Sequence, residues 1–230
     1  MEEYQNFARE KLGFEFKNPD LLVTALTHRS YVNEHKKNTE HNERLEFLGD
    51  AVLELVSSDF LYRNYDEPEG IMTALRAALV RTESIGEAGF ELGYEPLVRL
   101  SKGEKQGSER AHEVIMADCF EAVIGAIYLD QGYEKAREFI AKHILSKIDT
   151  ILEEETWRDP KSYVQELAQK LDGITPVYRT LKEDGPDHDK TFTVGIYVGD
   201  SLKGTGTGHS KQEAQTAAAR EAVKKYKSSL

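Results

Sequence analysis

Two periodicities divide the chain. From residue 2 to about residue 155, apolar residues recur every three or four positions, the spacing of amphipathic helices; beyond Leu171 they alternate, the spacing of strands. Residues 2–11 read as a short amphipathic helix stopped at Gly13. Asn18-Pro19 supplies an N-cap and a first-turn proline for a helix through Leu21, Leu22, Ala25 and Leu26. Residues 32–41 are polar and read as a surface loop. Asn42 then stands as N-cap to a helix running to about Tyr65, with Leu45, Leu48, Val52 and Leu55 on its core face. Pro68 and Gly70 break it, and helical spacing resumes from Ile71 to about Phe90. Ser101 to His112 is polar and reads as a mobile loop. Ile115 to Tyr128 is apolar nearly all round, the pattern of a buried helix, and a last helix runs from about Tyr133 to Glu155.

A boundary follows at Trp157-Arg158-Asp159. Asp159-Pro160 starts an amphipathic helix to Leu171, with Tyr163, Val164, Leu167 and Leu171 inward. Val177–Leu181, Thr191–Val198 and Ser201–Gly208 read as three strands. Ser210 caps a final helix that turns Ala214, Ala217, Ala218, Ala222 and Val223 inward. The expected fold is a multi-domain one: an all-α domain over 1–156 and an α+β domain of order α-β-β-β-α over 159–228.

Charge sharpens this division. The net charge is −11, which by itself favours an acidic soluble protein with no nucleic-acid role. Residues 158–230, however, hold 12 Lys/Arg against 10 Asp/Glu, and the rest of the chain holds 18 against 31. An acidic part that collects cations beside a mildly basic part that meets phosphates is a consistent pair. Cys119 is the single cysteine and lies in the apolar helix, so it reads as a buried hydrophobe, with no intrachain disulfide and an intracellular, cytoplasmic setting. No apolar run reaches the roughly 20 residues that cross a bilayer. The acidic start Met1-Glu2-Glu3-Tyr4 lacks a signal-peptide pattern, so no membrane partner is expected.

The candidate chemistry lies in acids within apolar helices. Glu43, Glu46 and Asp50 share one face of the helix that begins at Asn42. Asp118 and Glu121 interrupt the buried helix at i and i+3. Carboxylates so placed repel one another unless solvent or a divalent cation offsets the cost. Two such acid pairs suit a four-carboxylate Mg²⁺ site of Glu46, Asp50, Asp118 and Glu121, able to clamp the attacking and leaving oxygens of a phosphodiester.

Asn42-Glu43-Arg44-Leu45-Glu46-Phe47-Leu48-Gly49-Asp50-Ala51-Val52-Leu53 resembles the motif of the ribonuclease III family, endonucleases that cut double-stranded RNA. Ala117-Asp118-Cys119-Phe120-Glu121-Ala122 resembles that family's second acidic motif, and Leu26-Thr27-His28-Arg29-Ser30-Tyr31 its N-terminal pattern. The resemblance implies hydrolysis of both strands of duplex RNA, with 5′-phosphate and 3′-hydroxyl ends and a short 3′ overhang. It implies Mg²⁺ as cofactor, with Mn²⁺ able to substitute, a homodimer, and processing of ribosomal and other precursor RNAs. Glu46, Asp50, Asp118 and Glu121 would be the catalytic and metal-holding residues, with no histidine general base. Glu43 and Glu69 fall in a second tier: outer ligands, water positioning or dimer contact, or, for Glu69, a solvated turn acid. Phe47, Leu48, Leu53 and Phe60 exceed what one helix face needs, which suits a subunit interface or a monomeric core equally.

Residues 159–227 resemble a double-stranded RNA-binding domain, a module that spans two minor grooves and the phosphates between them. The matching contacts are Gln165 and Glu166 on the first helix, His188 in the turn after the first strand, and Ser210 and Lys211 at the start of the last helix. The family often carries a second lysine where Gln212 stands, and Lys224, Lys225 and Lys227 either compensate or form a solvated tail. Ser101 to His112 departs from the family's paired glycines at Gly107-Ser108 and either contacts phosphate or is simply solvated. His28 either binds phosphate or closes a helix end. Two rivals are a non-catalytic double-stranded RNA-binding homodimer and a helical di-iron carboxylate protein. The latter needs two Glu-x-x-His pairs, and only Glu109 to His112 fits.

Overall fold

The computed structural model describes residues 1–35, 39–186 and 190–228. The chain divides into two compact units, Met1–Trp157 and Arg158–Leu230. In the first, α1 (Glu2–Phe7) runs into a π-helical turn and ends at Gly13 in the left-handed region. Then come α2 (Pro19–Ala25), α3 (Arg29–His35), α4 (Glu43–Asn64), α5 (Glu69–Val80), α6 (Thr82–Leu92), α7 (Glu109–Gln131), α8 (Tyr133–His143) and α9 (Ile148–Glu154). The α7 helix is the axis of the unit. Ile115, Met116, Ala117, Cys119, Phe120 and the run Ala122–Ile127 are all buried on it, and α4, α6, α8 and α2 pack round it. Each buried Ile or Phe contributes roughly 1.5–3 kcal/mol by leaving water, so this helix anchors the fold.

The elements depart from sequence expectation at four places. Residues 32–35 belong to helix α3, where the Tyr31 ring stacks on His35 one turn on at 4.2 Å and Glu34 accepts from the Lys102 N–H at 2.7 Å; residues 36–38 of the expected loop lie outside the described residues. The expected helix from Ile71 to Phe90 is two helices, since Arg81 adopts an extended backbone (φ −65°, ψ 150°) between α5 and α6. The expected helix from Tyr133 to Glu155 is likewise interrupted by a 3₁₀ turn at Leu145–Lys147. The expected loop from Ser101 to His112 is short, because Ser108 caps α7 by accepting from the Ala111 N–H and helix begins at Glu109. His112 is turned back onto the Glu104 carbonyl oxygen at 2.9 Å.

The second unit has α10 (Pro160–Leu171), β1 (Val177–Asp184), β2 (Thr191–Val198), β3 (Ser201–Gly208) and α11 (Lys211–Lys227). The strands form one antiparallel sheet in the order β1-β2-β3. Val164, Leu167 and Ala168 of α10 meet Ala218, Ala219, Ala222 and Tyr226 of α11 over Ile196 and Val198 of β2. Leu171, expected inward, is 44 % exposed as the last residue of α10. Asp159 and Ser210 cap their helices as the sequence suggests.

Candidate active site and RNA-facing surface

The acid site is made by backbone contact between two helices. A Cβ on Gly49 of α4 would lie 1.7 Å from the Glu121 carbonyl oxygen, and one on Gly125 of α7 would lie 2.2 Å from that of Leu45. Only glycine permits so close an approach. At that crossing Glu46 and Asp50 flank Gly49, while Asp118 and Glu121 precede Gly125, so the two acid pairs face one another. Burial first, and mutual repulsion second, set the electrostatics of the site. Burial pushes the Glu46 carboxyl up to about 7, with Asp118, Glu43 and Asp50 adding to it. Burial pushes Glu121 up to about 8, with Asp50, Glu46, Asp118 and Glu54 adding. Asp118 is raised by burial and by Glu43.

Among the described residues none of Glu46, Asp50, Asp118 and Glu121 forms an ion pair with Lys, Arg or His. Nor do three or more His, Cys, Asp or Glu side chains close into a metal cage among those residues. The set is open. Its donors are nonetheless all carboxylate oxygens, half-buried or exposed and short of positive charge, which fits a hard divalent ion such as Mg²⁺. A cleft of about 770 Å³, lined mainly by residues of α6 and α9, contains none of these four acids.

On the second unit, Gln165 and Glu166 are exposed on α10, with Glu166 3.8 Å from Arg158. Ser210 Oγ accepts from the Glu213 N–H and so starts α11. Lys211, the first residue of that helix, lies 2.8 Å from Glu183 of β1 and over the Phe192 ring. His188 lies outside the described residues.

Comparison with known proteins decides the family. Residues 18–148 match the family described as Ribonuclease-III-like, and residues 160–226 match the double-stranded RNA binding motif. The chain is 43 % identical to ribonuclease 3 of Bdellovibrio bacteriovorus over 95 % of its own length and 94 % of the relative's. It is 45 % identical to ribonuclease 3 of Pelotomaculum thermopropionicum, over 94 % of this chain and 91 % of that one. The chain belongs to the ribonuclease III family. The first unit is also similar to the crystallised nuclease domain of ribonuclease III from Campylobacter jejuni, with a TM-score of 0.55, 37 % identity, and coverage of 60 % of this chain and 94 % of that one.

Within this ribonuclease III fold the second-tier acids separate. Glu43 stands beside the four carboxylates, since it raises Glu46 and Asp118, and also reaches Arg29 at 3.4 Å and His41 at 3.8 Å. Glu69 does not join them. It is the first residue of α5 and lines a groove of about 460 Å³ with Leu55, Tyr62, Met72 and Arg76. Of the interface candidates, Phe47 is 80 % exposed, Leu48 and Phe60 are half-buried and Leu53 is in the core. Leu55, expected in the core, is exposed and shares the α4 surface with Phe47 and Tyr62.

Three features escaped the sequence reading. Glu54 extends the acid stripe one turn beyond Asp50 and acts on Glu121, while Arg76 holds it at 2.9 Å; the i, i+4 run Glu46-Asp50-Glu54 was the available signal. Asn42 does not cap α4 with its side chain. It is buried, and its Nδ2 lies 3.8 Å from Cys119 Sγ while its N–H donates to the Thr27 carbonyl oxygen, tethering the start of α4 to the core. The paired glycines carried no periodic signal at all.

Proposed function

We propose that this ribonuclease III family member is a Mg²⁺-dependent endoribonuclease that hydrolyses both strands of double-stranded RNA. Residues 1–156 form the catalytic domain and residues 159–228 the RNA-binding domain. The observation that carries the reading is the facing of two acid pairs, without a cationic partner, across a glycine–glycine helix crossing. Glu46, Asp50, Asp118 and Glu121 would hold Mg²⁺, or Mn²⁺ in its place, which would supply a water of lowered pKa and offset charge on the departing 3′ oxygen.

The chain's own groups do the rest. Burial and neighbouring acids make Glu46 and Glu121 hold protons more firmly than ordinary carboxyls, and the two would give those protons up on holding a cation. Glu43, paired with Arg29 at 3.4 Å, adds negative charge beside Glu46 and Asp118. Ser210 and Lys211 present the start of α11 to phosphates, where helix N–H groups favour anions. Gln165 and Glu166 would meet the minor grooves, and His188 is proposed to join them. The products carry 5′-phosphate and 3′-hydroxyl ends, and ribosomal and other precursor RNAs in the cytoplasm are the substrates.

The protein acts as a homodimer, each cleft cutting one strand. Phe47, Leu55 and Tyr62 support this as exposed apolar residues on α4, with Glu69 in the adjoining groove. No helix among the described residues is long and apolar enough to cross a membrane. The test is a long perfect RNA duplex incubated with the protein in Mg²⁺ and in EDTA. Cutting in Mg²⁺ alone, with single strands and DNA intact, is the expected result. Retarded but uncut duplex would favour a non-catalytic RNA-binding homodimer.

A further inference from the structure

We infer that Glu183 is an intramolecular counter-ion for the phosphate-binding lysine, a carboxylate that occupies Lys211 in the free protein and that duplex RNA must displace. This rests on the reading of Lys211 as a phosphate contact and adds the residue that sets how strongly it acts.

The geometry comes from strand register. Glu183 of β1 pairs with Phe192 of β2, so its side chain rises beside that ring. Lys211, brought over the sheet by the turn from β3 into α11, places its Nζ 5.4 Å from the Phe192 centroid and 2.8 Å from Glu183 Oε1. The other oxygen of the same carboxylate lies 3.9 Å from Lys190 Nζ. One acid therefore bridges two lysines at the edge of the surface that meets phosphate. The hydrogen bond from Lys211 also holds the Glu183 carboxyl below the usual carboxylate range, so it is ionised wherever RNA is bound.

Exposure decides what the pair is for. The Glu183 and Lys211 side chains are 39 % and 56 % exposed, and ion pairs in such positions contribute little to folding. Their effect on a polyanion is direct. RNA gains only the difference between a lysine–phosphate and a lysine–carboxylate contact, and it leaves Glu183 facing a phosphate of like charge. Glu183 thereby weakens every ligand that offers phosphate alone, and a ligand wins only by adding contacts elsewhere on the domain.

The test uses the full chain in EDTA, where cleavage is blocked, and measures retention of a perfect RNA duplex by wild type, E183Q, K211A and the double variant. Both side chains are on the surface, so neither change disturbs the core. E183Q is expected to tighten binding about two- to fivefold, the range of exposed ion pairs, and to gain clearly less in the K211A background. Equal or weaker binding by E183Q would overturn the inference and make Glu183 a support that orients Lys211. The same gain in both backgrounds would also overturn it, leaving only a general charge effect. Failure of the wild type to bind duplex at all would instead remove the RNA-binding reading, and this inference with it.

Discussion

The two units handle charge in opposite ways. Where α4 crosses α7, four carboxylates face one another and none has a cationic partner among the described residues. On the second unit several basic groups are held by acids of the same unit, among them Lys211 by Glu183 at 2.8 Å, Lys225 by Glu221 at 3.0 Å and Lys203 by Asp172 at 3.6 Å. On the function proposed above, a cation entering the first arrangement would relieve its repulsion and displace protons. A phosphate meeting the second would exchange one ion pair for another, a contact sensitive to salt.

The acid site is the more sensitive of the two regions to substitution. Glu121→Gln would remove one of the proposed ligand oxygens and should lower cleavage by more than about 100-fold, since even outer partners of metal ligands cost 10- to 100-fold. Duplex binding in EDTA should be unchanged, and normal turnover would take Glu121 out of the site. Gly125→Ala forces a methyl group into the Leu45 carbonyl and should destabilise the first unit by about 3 kcal/mol or more in urea unfolding. Unaltered stability would show that the helices can part without loss.

Proton linkage sharpens the same contrast. Glu46 and Glu121 titrate near 7 and 8 in the folded chain against 4.5 ordinarily. Between those values the folded state keeps protons that the unfolded state has released, so metal-free stability should fall as pH rises from about 4.5 to 8. Mg²⁺ should therefore raise the melting temperature more at pH 8 than at pH 6, as calorimetry at both values would record. A Mg²⁺ effect independent of pH would contradict the unpaired acid pairs. The smallest effect belongs to the paired side. Lys211→Ala should weaken duplex binding at all sequences alike and reduce the salt slope by about one.

Much of this was legible in the chain. The helical stretch from Asn42, the buried run around Cys119 and the change of period after Leu171 each gave an element that the structure contains, because burial on one face imposes a period that sequence retains. The breaks at Arg81 and at Ile144 were not legible, since neither carries glycine or proline and tertiary packing alone turns the chain there. Within the site, the acids announced themselves as charges in apolar helices, whereas Asn42 matched the residue type of an N-cap and turned out to be a buried tether. The Glu183–Lys211 pair joins a strand to a helix across the domain, and no local pattern encodes such a contact.

The glycine crossing also has a consequence for the order in which the protein matures. Gly49 and Gly125 are separated by the whole of α5 and α6, so their meeting closes a long loop and has to wait for α7 to find its place. On the four-acid site proposed above, neither half is complete by itself, so a nascent chain would cut RNA only after this long-range contact has formed, and uptake of the ion during refolding would time its completion.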